Sequence, residues 1–148
     1  MKLLIGYGNT LRNDDAAGWR IVEQLTPECT DSGVKAVMAH QLLPEIAATV
    51  AQAEVAIFVD AALDGEPGAI RVVELHPLDH MEDAHALTAA GVLFLAKSLF
   101  GDYPPAYLVT ITGVDFELGE VLSHPVARAL PQAVATVRRL LAMKTNAG

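Results

Sequence analysis

Residues 3–18 read Leu3-Leu4-Ile5-Gly6-Tyr7-Gly8-Asn9-Thr10-Leu11-Arg12-Asn13-Asp14-Asp15-Ala16-Ala17-Gly18, and this stretch decides the fold. An apolar strand, Leu3 to Ile5, runs into a turn-forming set, Gly6-Tyr7-Gly8-Asn9. Asn13-Asp14-Asp15 then precedes a helical pattern from Ala16 to Leu25. A strand that stops at glycines and hands carboxylates to a helix start places charge at the carboxyl edge of a sheet. Open α/β sheets bind their ligands there. Asp or Asn at a helix start is also ordinary capping chemistry, since the side-chain oxygen satisfies a free backbone N–H. One of the three residues suffices for a cap. Two adjacent carboxylates in one short turn repel, so the spare one invites a cation.

A dinucleotide fingerprint, G-x-G-x-x-G after a strand, is the nearest rival. Gly6 and Gly8 fit its first two positions, but the third falls on Leu11. The close helix–sheet approach of that motif is therefore not expected, and two aspartates would face a pyrophosphate with the wrong charge.

Working outward, Ala17, Ile21, Val22 and Leu25 repeat near the 3.6-residue period of an amphipathic helix. Pro27 and Ser32-Gly33 are expected to end it. Val34 to Ala39 reads as a strand, and Pro44 fits the first turn of a helix to about Ala53. Val55 to Val59 is a continuous apolar run, typical of a strand buried on both faces, and it stops at Asp60. Ile70 to Leu75 mixes apolar and charged residues and suits a strand near a sheet edge. His76 to Ala86 has no period and reads as a surface loop. Thr88 caps a helix to about Phe100, closed by Gly101. Ala106 to Thr112 is another apolar strand. Ser123 caps a last helix to about Met143, whose basic end, Arg138, Arg139 and Lys144, suits the helix dipole. The alternation predicts one α/β domain over residues 1–148, a three-layer α/β/α sandwich with a twisted, mostly parallel sheet of about five strands.

The chain's 148 residues are 52% hydrophobic, yet no run of about 18 apolar residues offers a membrane span. Met1-Lys2 leads directly into a core-like strand, so no signal peptide is expected. The formal net charge of −8 disfavours nucleic acid, whose phosphates want Lys and Arg. It suits a cation or a basic segment of a protein partner. Cys29 is the only cysteine, which excludes intrachain disulfides and makes a thiolate cluster implausible. The cytoplasm is the expected compartment.

Asp15 follows the first strand, Asp60 ends the third, and His85 precedes the third helix. If the first and third strands are neighbours, both carboxylates project from one sheet edge, and the His85 loop can reach over it. Two carboxylates and an imidazole with open positions suit nickel, zinc or another divalent transition metal. Each residue also has an ordinary use: Asp60 can cap a turn, and His85, like His76 and His80, can be a plain loop histidine. No G-x-S-x-G elbow or H-E-x-x-H helix occurs.

These residues resemble the endopeptidases that mature the large subunit of nickel–iron hydrogenases. Ile5 to Gly18 is similar to that family's G-x-G-N…D-D/E-x-x-G opening. Phe58-Val59-Asp60-Ala61 is similar to its second acidic motif, and His85 ahead of an apolar helix to its histidine motif. Val109 to Gly119 and Leu122 to Pro125 resemble its closing part. The resemblance implies a twisted sheet of about five strands between helices. It implies one cut that removes a C-terminal extension from the large-subunit precursor after nickel insertion. It further implies Asp15, Asp60 and His85 as metal-binding site residues, with nickel supplied by the precursor and serving as the recognition element. The expected partner is that precursor, with no nucleic acid or membrane, and the protein is expected to act as a monomer. Some family members carry D-G-G-T after the second strand. Here His40-Gln41-Leu42-Leu43-Pro44-Glu45 stands instead, more like proteases serving soluble, bidirectional hydrogenases. Gln41 and Glu45 are then candidates for client recognition, with helix-start chemistry as their other reading. A noncatalytic nickel-binding chaperone on the same fold is the alternative from another class.

Overall fold

β1 (Lys2–Tyr7) buries Leu3, Leu4 and Ile5 almost completely, because apolar side chains leave it on both faces. A computed structural model describes residues 1–81 and 87–144. A 3-10 turn (Asn13–Ala16) leads into α1 (Ala17–Cys29), then β2 (Val34–Ala39), α2 (Ile46–Gln52), β3 (Val55–Ala62) and β4 (Ile70–Leu75). α3 (Ala89–Phe100), β5 (Ala106–Thr112) and α4 (His124–Ala142) complete the order. The sheet runs β2-β1-β3-β5-β4, parallel except for β4, which pairs antiparallel with β5 at the edge.

Strand alternation splits the core in two. Leu4, Ile57, Val59, Val109 and Ile111 pack against α1 and α4 on one face. Leu3, Ile5, Ala56 and Phe58 pack against α2 and α3 on the other. The three-layer α/β/α sandwich of five strands, expected from the sequence, is the architecture observed. Among the described residues no helix is long and apolar enough to cross a membrane.

The topology positions the site. From β1 the chain moves through α1 to β2 on one side, then through α2 to β3 on the other. The connections therefore diverge at the carboxyl ends of β1 and β3. That reversal opens the crevice in which doubly wound folds hold ligands.

Several expectations are corrected. α1 does not stop at Pro27 but continues to Cys29. Leu25 and Cys29 are buried on its inner face, and that burial outweighs one missing N–H. β3 does not stop at Asp60. It runs to Ala62, because β5 pairs with it residue by residue through Ala62 and Thr112. The close helix–sheet approach, not expected with Leu11 at the third fingerprint position, is present. Gly18 supplies it: a Cβ there would collide with the Val59 carbonyl, and one at Gly6 would strike Gly18 in turn. Neither Asn13, Asp14 nor Asp15 caps a helix, and the Ser123 side chain makes no cap bond at the start of α4. Thr88 does cap α3, accepting from Gly91 N–H at 3.1 Å, and Gly101 closes that helix with φ 79°.

Candidate active site

Gly8 lets the chain turn off β1 at φ 142°, and a Cβ there would collide with the Asp15 carbonyl. The turn folds back so that Asn9 N–H donates to Asp15 Oδ2 at 2.7 Å. Leu11 N–H closes the turn on Asn9 Oδ1 at 2.9 Å. Asp15 is thus oriented by backbone and left half-buried at the carboxyl end of β1.

The two residues before it face elsewhere. Asp14 is fully buried. It accepts from Val114 and Asp115 N–H at 2.8 and 3.0 Å, and from Ser123 N–H at 2.7 Å. Burial pushes its carboxyl up, but these bonds outweigh burial and hold it below the ordinary carboxylate value. Asn13 adopts the left-handed φ of 43°, which Asn tolerates better than most residues. Its Oδ1 accepts from Val121 N–H at 3.1 Å. So Asn13 and Asp14 clamp the segment between β5 and α4, and Asp15 alone is presented to the crevice. Reasoning from sequence missed this division. The only signal was that three consecutive side-chain acceptors exceed what one helix start needs.

Asp60 enters from β3, one strand over. In the register Gly6 pairs with Val59, so Tyr7 and Asp60 follow side by side on the face that carries Ile5 and Phe58. Asp60 Oδ1 accepts from its neighbour's Ala61 N–H at 2.8 Å. Burial pushes the Asp60 carboxyl up to about 7, and the Asp15 charge adds to that shift. The Ala61 N–H and the Tyr7 hydroxyl pull the other way but do not cancel it. Tyr7 is held protonated by burial and by the Asp60 charge, so its phenol stays a donor at the site. Tyr7 is the second residue that sequence reasoning missed. The period-two alternation from Leu3 through Ile5 places it on this face.

Asp15 and Asp60, predicted as a pair from their positions, are therefore brought together. His85 lies outside the described residues. Among the described residues no group of three or more His, Cys, Asp or Glu converges. The donor set that is described fits a divalent ion. Asp60, whose proton affinity is raised by burial and by the neighbouring Asp15 charge, is the group a cation would relieve, and the oxygens of the two carboxylates leave coordination positions for another molecule's ligands.

Gln41 and Glu45 are exposed beside the carboxyl end of β2. They rim an apolar cavity of about 190 Å³ floored by Ile5, Val37 and Ile46. The site turn is tied to this region, because Gly8 N–H donates to the Ala39 carbonyl at 3.1 Å. Trp19 of α1 donates to the same carbonyl at 2.8 Å. Glu45 stands at the cap position of α2, yet its side chain makes no cap bond.

No protein-family model and no curated protein matches the sequence. Solved structures do match. The NiFe hydrogenase maturation protease HycI from Thermococcus kodakarensis KOD1 is 23% identical, with a TM-score of 0.74 over 95% of this chain and 91% of that one. The hydrogenase maturating endopeptidase HybD from E. coli is 22% identical, with the same TM-score and coverage. The hydrogenase 2 maturation peptidase from Thaumarchaeota archaeon SCGC_AB-539-E09 is 23% identical, with a TM-score of 0.69 over 97% and 99%. At this identity the likeness is one of fold, and it extends over nearly the whole of each chain. The chain has the fold of the hydrogenase maturation proteases.

Proposed function

We propose that the protein is an endopeptidase that removes the C-terminal extension of a nickel–iron hydrogenase large-subunit precursor after nickel insertion. One observation carries this reading: Asp15 and Asp60 converge where the connections leaving β1 and β3 diverge, on a fold shared with hydrogenase maturation proteases. In this reading His85, which precedes α3 in the sequence, is the third ligand. The nickel is the client's cargo. Asp15, Asp60 and His85 bind it while it sits in the precursor, so that it serves as recognition element. Nickel so held can polarise a carbonyl or acidify a water. The chain's own task is positioning. The Asn9 and Ala61 N–H groups fix the two carboxylates, and Tyr7 offers a hydroxyl beside Asp60. Fixing the ion fixes the peptide bond beside it, and orientation of that kind is a large part of catalysis. The protein works as a monomer in the cytoplasm, with the precursor as its partner and neither nucleic acid nor membrane involved. Its client belongs to a soluble, bidirectional hydrogenase.

The test is incubation with nickel-loaded precursor, with mass spectrometry of the product. Wild type should release one C-terminal peptide. Asp15→Asn, Asp60→Asn and His85→Ala should each release none while their circular dichroism stays native. An intact precursor with folded wild-type protein, bound but uncut, would make the protein a nickel-binding chaperone instead.

A further inference from the structure

The segment between β5 and α4, residues 113–123, is held along its whole length. Gly113 N–H donates to the Ala62 carbonyl at 2.9 Å, which ties its start to the end of β3. Asp14 N–H donates to the Asp115 carbonyl, and Gly119 bonds both Leu11 and Asn13, each at 2.9 Å. With the three N–H groups that Asp14 accepts and the one that Asn13 accepts, the backbone is well satisfied. Phe116 turns inward against Gly113, and Leu122 joins the core under α1 and α4.

The remaining large apolar side chains turn out. Leu118 and Val121 are each 74% exposed, Val114 is 55% exposed, and Leu11 across the Gly119 contact is 56% exposed. Single exposed aliphatics are normal on any protein. Here Leu11, Leu118 and Val121 all lie within two residues of one backbone contact, on a segment anchored to the residue next to Asp15. Backbone this ordered holds the attachment points of these apolar side chains in place. A surface held that way loses little entropy when a partner covers it. The charge of the rim is one-sided as well. Asp115, Glu117 and Glu120 stand against the single cation Arg12, and no Lys or Arg occurs in 113–123.

We infer that this rim docks the client chain beside the scissile bond, taking a segment that combines aliphatic and basic side chains. The inference rests on the proposed processing of a large-subunit precursor and names the surface that holds it. The aliphatics fill the contact, and the carboxylates choose a basic partner and speed its encounter.

The test uses full-length protein and nickel-loaded precursor, with two variants that leave the paired carboxylates and their hydrogen bonds unaltered. Leu118→Ser/Val121→Ser should raise KM about tenfold and leave kcat within about twofold, the pattern of a contact made equally in ground and transition states. Glu117→Lys/Glu120→Lys should raise KM about as much at low salt, and the gap to wild type should narrow in high salt, where screening removes the attraction. Wild-type KM in both variants would overturn the docking surface while leaving the protease intact. Self-association of wild type lost in the serine variant, with KM unchanged, would show a second copy as occupant and overturn it equally. Failure of wild type itself to cut the precursor would overturn the processing function instead.

Discussion

Asp60 stands next to Tyr7 on adjacent strands, with the Asp15 charge close enough to raise its proton affinity. This crowding costs stability in a pH window with a definite sign. The folded carboxyl titrates near 7, against about 3.8 ordinarily. Between those values the folded chain holds a proton that the unfolded chain releases. Stability therefore falls as pH rises through the window, and the loss is complete above 7. Asp60→Asn removes that loss. In chelator, the variant should gain stability relative to wild type between pH 4 and pH 8, by up to about 4 kcal/mol, while losing precursor processing. Thermal melts at the two pH values measure it. Equal gaps at both would mean that the Asp60 carboxyl titrates normally.

Asp14 should behave in the opposite way. Its folded carboxyl is held below the ordinary value, so its contribution is full above about 3.8 and fades as pH falls through the folded value. Asp14→Asn leaves three N–H groups facing a neutral amide and should cost about 2 kcal/mol at pH 7. The loss should appear first as proteolytic nicking within 113–123. Native resistance to protease would show that the clamp lies elsewhere.

Gly18 tests the helix–sheet approach. Gly18→Ala drives a methyl into the Val59 carbonyl. It should destabilise the fold by roughly 1–3 kcal/mol, the usual cost of overpacking a dense contact. It should also weaken processing, because α1 must recede and take Asp15 with it. An unchanged melting curve would mean that the helix can shift freely there.

How much of this was legible varied with the reach of the interaction. β1 and β3 were legible because a strand buried on both faces must be apolar throughout, as Val55 to Val59 is. Thr88 and Gly101 were legible because caps are local chemistry. Asp15 and Asp60 could be paired once β1 and β3 were taken as neighbours. The clamp by Asp14 could not, since its partners lie about a hundred residues away in sequence. Composition gives no hint of which of three consecutive acceptors faces the crevice. The run of α1 past Pro27 was hidden for a similar reason. A local breaker was overruled by burial of Leu25 and Cys29, and only the packed structure shows that burial.

Gln41 and Glu45 border an apolar cavity next to the site, and Glu45 has no helix-capping task. Gln41→Ala and Glu45→Gln should change the Michaelis constant or client choice more than turnover, as uniform binding contacts do. Steady-state kinetics on two different precursors would separate these. A collapsed turnover with unchanged apparent affinity in Glu45→Gln would place Glu45 in the reaction itself.

The proposed function has the nickel come from the client. The site offers two carboxylates fixed by single backbone N–H groups, and no thiolate. The one cysteine, Cys29, is buried at the far end of α1, away from the crevice. Hard oxygen donors are a poorer match for a borderline ion than thiolate sulfur. An ion already seated in a client on sulfur would therefore stay with the client and accept Asp15, Asp60 and His85 as added ligands. The isolated protein should bind nickel weakly in calorimetry, and should engage nickel-loaded precursor far more tightly than nickel-free precursor. After chelator treatment of the protein, it should still cut the loaded precursor and leave the empty one intact. Cleavage of empty precursor at the loaded rate would refute nickel as recognition element. Recovery of activity only when nickel is returned to the stripped protein would show that the ion belongs to the enzyme rather than to its client.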